Sequence, residues 1–235
     1  DHLPLKMVFK MSGAKSLNIM GQGLLRKAAL GLQYMLKKNG PLTTVPAPLG
    51  ALLRSDSTQS SPDLYYQIQP WSQDSAGAPL HDFPAFTVSV SNLKATSRGT
   101  VQIISSDAAI LPAITTNYLS TPEDQEKAKA AIQLTRKIVA ASALQSYALE
   151  ETQTDDDLLR LAGTIAFAGT NPVGTCKMGR VDDALAVVDS EFKVRGIAGL
   201  RVADASVMPT IPAGDTSATT IMLAEKAAKL IRAYR

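Results

Sequence analysis

The sequence predicts an α+β fold, an antiparallel sheet flanked by helices. Three runs, 64–69, 86–93 and 100–104, alternate apolar and polar residues, the period of a strand with one covered face. Between and after them lie stretches with apolar residues at helical spacing and well-marked starts. A composition of 45% apolar and 19% charged residues over 235 positions is sufficient for a core and too apolar for disorder.

Residues 1–10 mix apolar and basic side chains and read as extended. Leu24, Leu25, Ala28, Leu32 and Met35 mark a helix over 23–38. Lys37 and Lys38 suit its negative end, and Asn39, Gly40 and Pro41 stop it. The string Gly21-Gln22-Gly23 lacks a preceding strand and a third glycine, so it reads as a helix start, not a phosphate loop. Residues 49–53 suit a short buried strand, and the polar stretch 55–62 a surface loop. The turn-rich 94–99 joins the runs 86–93 and 100–104 within the sheet. Trp71 and the tyrosines near it read as core aromatics, with the wall of a cavity as the alternative.

Thr121, Pro122, Glu123 and Asp124 make a helix start of hydroxyl cap, first-position proline and acidic first turn. That helix runs to about 141 and turns Ala128, Ala131, Ile132, Thr135, Ile138 and Val139 to one face. Thr154 opens another helix in the same manner, with Asp155, Asp156 and Asp157 compensating the dipole. Consecutive side chains on a helix diverge, so these acids do not converge on a metal.

The last third is the most informative. Residues 186–188 read as extended, and 200–203 as a buried strand ending at Asp204. Ala213, Gly214, Asp215, Thr216 and Ser217 then lead into a helix that runs to the end of the chain. Its stripe is Ile221, Ala224, Ala228 and Ile231. Free N–H groups and the positive dipole end at such a helix start suit an anionic cofactor group. A turn at Asp204 and an ordinary N-cap at Thr216 or Ser217 fit the same residues equally well.

Several function classes are excluded. A formal charge of +3, with no Lys/Arg run longer than a pair, does not suit nucleic acid. No apolar run is long enough to span a membrane, and the first residues are not a signal peptide. One cysteine, Cys176, makes no disulfide framework, and a cytoplasmic location is expected. Two distant histidines and that cysteine make no metal site.

The wording NPVGTCKMG, then VVD, FKVRGIAGLRVADASVMPTIP and IMLAEKAA, resembles the C-terminal signature of the glucose–methanol–choline (GMC) oxidoreductases, choline-dehydrogenase-like branch. The likeness is nearly gapless from Asn171 to Ile231 and looser upstream, reaching the DHL at Asp1-His2-Leu3. Family members bind FAD and oxidise alcohols by hydride transfer to the flavin. The resemblance implies most of a substrate-binding domain over 1–165 and a segment, 166–235, that completes a Rossmann-like FAD domain. The main N-terminal FAD-binding fold is expected to be missing, and that missing half is the expected partner beside a small alcohol substrate.

It also implies that Asp204 and Ala205 approach the FAD diphosphate and ribityl chain, with Thr216 and Ser217 near the flavin ring. Cys176, Lys177 and Met178 are expected as framework. The family's two catalytic positions, usually His and then His or Asn, fall on Asn171 and Asp215. Asn171 cannot titrate; Asp215 can, and burial beside a flavin would raise its pKa. One reading swaps the roles, with Asp215 as base and Asn171 as orienting partner. The other is a non-redox, lyase-like or scaffold protein, or an inactive fragment. His2 is expected to make a structural hydrogen bond, with catalysis as the alternative, and His81 is given no catalytic role. Leu200, Val202 and the Ile221 stripe are expected to be uncovered in this chain alone.

Overall fold

A computed structural model describes residues 1–14 and 16–233. In chain order the elements are β1 (Pro4–Lys10), α1 (Leu17–Met20), α2 (Leu24–Lys37), β2 (Leu49–Leu53), β3 (Leu64–Gln69), β4 (Ala85–Asn92), β5 (Thr100–Gln102) and β6 (Ala113–Thr115). They continue with α3 (Pro122–Val139), β7 (Glu150–Glu151), α4 (Leu158–Ile165) and α5 (Thr216–Ala233). The expected last two residues of the final helix lie outside the described residues. Two units emerge. A sheet unit holds Pro4–Ser91 and Glu126–Phe167; a signature unit holds Asp1–Leu3, Asn92–Gln125 and the chain from Ala168 onward.

The sheet unit carries the expected antiparallel sheet, five strands in the order β2-β3-β4-β1-β7. The extended stretch after Leu3 becomes an inner strand, paired antiparallel with β4 from Pro4↔Ser91 to Lys10↔Ala85. Alternation buries Leu5, Met7 and Phe9, and the Phe9 and Phe86 rings stack at 5.5 Å. On α3 the expected face is buried at Ala128, Ala131, Ile132 and Thr135, while its last turn is not: Ile138 is exposed and Val139 half-buried. Tyr66 belongs to this core and donates from its hydroxyl to the Ala131 carbonyl at 3.2 Å. Gly21 ends α1 and Gly23, at φ 79°, precedes α2, so the glycine pair marks a helix boundary.

Three expectations are corrected here. The strand over 49–53 is an edge strand, with Leu49 62% and Leu52 55% exposed, because only β3 covers it. The run 100–104 does not join the main sheet. Its first three residues pair with β6 in a separate ladder from Thr100↔Thr115 to Gln102↔Ala113, where two short strands leave Val101 exposed. The helix expected from Thr154 starts later, at Leu158. Asp157 is its cap, accepting from the Leu159 and Arg160 N–H groups. Asp155 is held in the preceding turn by the Arg160 guanidinium at 2.6 Å and the Asp157 N–H at 2.9 Å.

The signature unit is mostly irregular. Val188, Phe192, Val207 and Ala227 form its core, with Val202, Leu223 and Leu230 packed around it. The expected strand at 200–203 is reduced to one bridge, Lys193↔Arg201, and Leu200 is exposed. The extended residues at 186–188 are likewise single bridges, from Val188 to Met178 and Val194. On α5 the covered face runs through Thr216, Leu223, Ala227 and Leu230, not through the expected stripe. Ile221 and Ile231 are exposed, as is Leu200, as expected of this chain alone, but Val202, expected to be uncovered as well, is half-buried against the Phe192 core.

Candidate functional site

Asp1 and His2 precede β1, and Asn171 lies in the loop after α4. Backbone and side chains hold the two segments together. The Gly169 N–H donates to the His2 carbonyl at 3.0 Å. Asp1 Oδ1 accepts from the Asn171 backbone N–H at 3.0 Å, and its Oδ2 from the Tyr118 hydroxyl at 2.6 Å. The approach is so close that a Cβ on Gly169 would sit 2.5 Å from the His2 carbonyl oxygen and 2.9 Å from Asn171 Oδ1. Glycine is required there because backbone cannot yield as a flexible side chain would.

The Asn171 amide spans His2. Its Oδ1 accepts the His2 backbone N–H at 3.3 Å, and its Nδ2 donates to the ring Nδ1 at 2.9 Å. With both ends of the amide so assigned, the neutral ring must accept at Nδ1 and carry its proton on Nε2. His2 is 6% exposed, and its Nε2 is buried without a hydrogen-bond partner among the described residues. His81, in contrast, has both ring nitrogens engaged, by Ser72 Oγ at 2.9 Å and Asp74 at 3.0 Å.

Asp215 ends the loop before α5. It is exposed and accepts the Ser217 N–H at 2.7 Å, an N-cap. Hydrogen bonds from Ser217 hold its carboxyl below the usual carboxylate range, and the His2 ring adds to this. The rise expected from burial therefore runs the other way in this chain, since an exposed, capped carboxylate loses nothing by ionising. Burial pushes His2 below its ordinary value. The Asp215 carboxylate and the Pro212 carbonyl pull it back. Pro212 is close enough to favour the protonated ring, yet it does not complete a hydrogen bond to Nε2.

Asp204 heads the tight turn Ala205–Val207 and accepts the Ser206 N–H at 2.8 Å. That turn packs against α5. The NPVGTCKMG segment laces onto it: Gly174 and Cys176 donate to the Ser206 carbonyl at 3.1 and 3.0 Å, and Met178 to Val207 at 2.8 Å. Gly174 stands at φ 91°, a conformation that favours glycine. The motif's framework residues thus position the Asp204 turn.

A flavin dinucleotide asks for acceptors along its ribose and ribityl hydroxyls and for N–H donors at its electron-rich edges. Asp204 is exposed and suits hydroxyls; its charge suits a diphosphate less well. Thr216 is buried and Ser217 exposed at the start of α5, and a Cβ on Gly214 would meet open space. These residues fit the group.

The sequence connected these positions only in part. Asn171 and Asp215 stand out by motif, and Asn171 is the one that touches the imidazole. The contact between His2 and Asn171 spans 169 positions in the chain, and no local pattern announces it. Gly169 carries no signal except its type.

Fold and site together define an α+β chain with a buried imidazole–amide pair and a capped helix start. The chain belongs to the GMC oxidoreductase family, whose C-terminal profile matches residues 95–224. The oxygen-dependent choline dehydrogenase of Vibrio vulnificus is 36% identical over 98% of this chain and 42% of that protein. The chloroplastic fatty acid photodecarboxylase of Chlamydomonas reinhardtii is 37% identical over 85% of this chain and 36% of that protein. The crystal structure of a formate oxidase superposes with a TM-score of 0.86 at 20% identity, covering 100% of this chain and 46% of that one. The chain therefore spans less than half the length of these relatives. Among the described residues, no helix is long and apolar enough to cross a membrane.

Proposed function

We propose that this chain is the C-terminal portion of an FAD-dependent oxidoreductase acting on the CH–OH group of a small alcohol. In this reading residues 1–165 form most of the substrate-binding domain. Residues 166–235 complete a Rossmann-like FAD domain whose main fold lies in the further length that the relatives have. Asp204 accepts cofactor hydroxyls, Ala205 follows it along the chain, and Thr216 and Ser217 present the start of α5. When bound, the flavin supplies the hydride acceptor.

The observation that carries the proposal is that Asn171, at one of the two positions where the family places its catalytic pair, has both ends of its amide on the buried His2; Asp215, at the other position, adds its charge to the field on that ring. Asp215 is the titratable member. Its carboxylate is ionised at neutral pH and accepts the hydroxyl proton as hydride leaves the alcohol carbon. A low pKa makes it a weak base, and closure of the site around substrate raises it by desolvation. Asn171 supplies hydrogen bonds only.

The test is anaerobic flavin reduction by a panel of primary alcohols, in the full-length protein. The parent is expected to reduce its flavin, and Asp215→Asn to slow the reaction by ~10²–10⁴-fold, the usual loss of a general base. Equal rates would remove Asp215 from the base role. A second reading is a non-redox, lyase-like protein. It is favoured by the amide at position 171 and by the likeness to a protein named a photodecarboxylase. No flavin reduction by any alcohol in the parent, with activity gained in Asn171→His, selects that reading.

A further inference from the structure

We propose that α2 docks on an anionic lipid surface, lying along the bilayer with its apolar arc in the acyl boundary and its cations among the headgroups. This is independent of the alcohol-oxidation reading. At about 100° per residue, Leu24, Leu25, Ala28, Leu32, Met35 and Leu36 share one arc of the helix. A surface helix of a water-soluble fold turns such an arc toward the core. In α2 the arc points outward. No residue of the helix is buried, and Leu25 is 87% and Leu36 73% exposed. The half-buried positions are Leu30, Gly31 and Gln33, on the opposite side. The main packing partner of α2 is the turn Pro41–Thr43 that follows it.

Charge decides what covers this arc. Arg26 and Lys37 border one edge and Lys27 the other, with Lys38 at the helix end. From residue 2 to residue 55 the sequence has no Asp or Glu, and without this stretch the chain would be net acidic. Helix stability does not explain the sign. Arg26 and Lys27 stand in a first turn that has no acid, against the macrodipole. The exposed apolar residues of the signature unit have another setting. Val181 adjoins Asp182 and Asp183, and Ile221 lies one turn before Glu225, which offers a protein partner both signs to match. An uncharged apolar partner on α2 would cover the leucines and leave the cations without counter-charge. Anionic headgroups above acyl chains complement both, and each Lys or Arg near such a surface strengthens binding ~5-fold. A helix of 14 residues is too short to cross a bilayer and lies in its interface instead.

The experiment uses full-length protein and vesicles of phosphatidylcholine, alone or in equal parts with phosphatidylglycerol. Leu25→Trp places an indole on the arc, read as the difference from the parent. Without vesicles it should emit as an indole in water. Anionic vesicles should shift the emission to the blue, and brominated acyl chains should quench it. Sedimentation with anionic vesicles should exceed that with neutral ones and fall as salt is added. Lys27→Gln, Lys37→Gln and Lys38→Gln together should weaken partition ~10²-fold. Leu25→Gln with Leu36→Gln should weaken it at least ~10-fold. Denaturant unfolding should be unchanged in both sets, since these side chains are exposed.

An indole at position 25 that is already in an apolar setting without vesicles, and unmoved by them, would overturn the proposal, because the rest of the protein then covers the arc. Self-association abolished by Leu25→Gln with Leu36→Gln, in the absence of vesicle binding, would overturn it in favour of a second copy of the chain. Equal sedimentation with neutral and anionic vesicles would rule out the anionic surface as the partner. Binding to anionic vesicles that survives both sets of substitutions would place the contact elsewhere on the protein and overturn the assignment to α2.

Discussion

The sheet unit and the signature unit satisfy their backbones by different means. In the sheet unit, ladders such as β1–β4 pair the main chain, and alternation places Leu5, Met7 and Phe9 in the core. The signature unit has few ladders, and carboxylates take their place. Asp1 accepts the Asn171 N–H, Asp124 those of Thr96 and Ser97, Asp189 those of Glu191 and Lys193, and Asp204 that of Ser206. A ladder spreads stability over many weak bonds, whereas a carboxylate staple concentrates it on one side chain. Irregular backbone held at points is also what a site needs, since it can aim a single N–H or side chain.

The largest effects should come from the two cores. Phe192→Ala, in the signature unit, should cost ~3–5 kcal/mol, and Ile132→Ala, in the sheet unit, ~2–5 kcal/mol, both by denaturant unfolding. A loss below ~1 kcal/mol for Phe192, far under the usual aromatic truncation, would mean that staples alone hold the signature unit.

Asp124 tests the staples themselves. It is 5% exposed and accepts from Asn92 Nδ2, Thr96 N–H and Ser97 N–H. Burial pushes its carboxyl up, but the bonds from Ser97 and Thr96 outweigh burial and leave it below the ordinary value. Asp124→Asn should cost ~1–3 kcal/mol at neutral pH. A depressed carboxyl stabilises the fold above its unfolded pKa of ~3.9 and loses that contribution as pH falls through the folded value. The gap between parent and Asp124→Asn should therefore close below about pH 4. A gap that widens in acid reverses the assigned sign.

The smallest effect is expected on the uncovered apolar surface. Ile221 is 64% and Leu200 47% exposed, so Ile221→Ser and Leu200→Ser should move unfolding by no more than ~0.5 kcal/mol. The same pair should reduce self-association of the chain in light scattering. A marked destabilisation would show that these side chains are covered.

Where periodicity and capping are strong, the fold was legible in the sequence. Thr121-Pro122 begins α3 as expected, and its buried face is the expected one through Thr135. Reading failed where burial depends on neighbours. The stretch 49–53 is apolar enough for a core, but it is an edge strand. The stretch 200–203 has the composition of a strand, but among the described residues it makes only the single Lys193↔Arg201 bridge. On α5 two stripes are apolar, and composition does not say which one Phe192 and Val207 cover. Motif resemblance points to Asn171 and Asp215 as candidate positions, without saying what they touch. The fixing of the His2 tautomer and the need for Gly169 were not legible, since both arise from a contact between distant segments.

The central proposal is that the signature unit contributes the Asp204 turn and the start of α5 to a flavin site. Hydrogen–deuterium exchange on full-length protein, FAD-free against FAD-loaded, tests it most directly. FAD should slow exchange at the Ala205–Val207 turn, at Gly214–Ser217 and around Asn171, and leave the β1–β4 ladder unchanged. Unchanged exchange at 204–217 with protection confined to the sheet would contradict it.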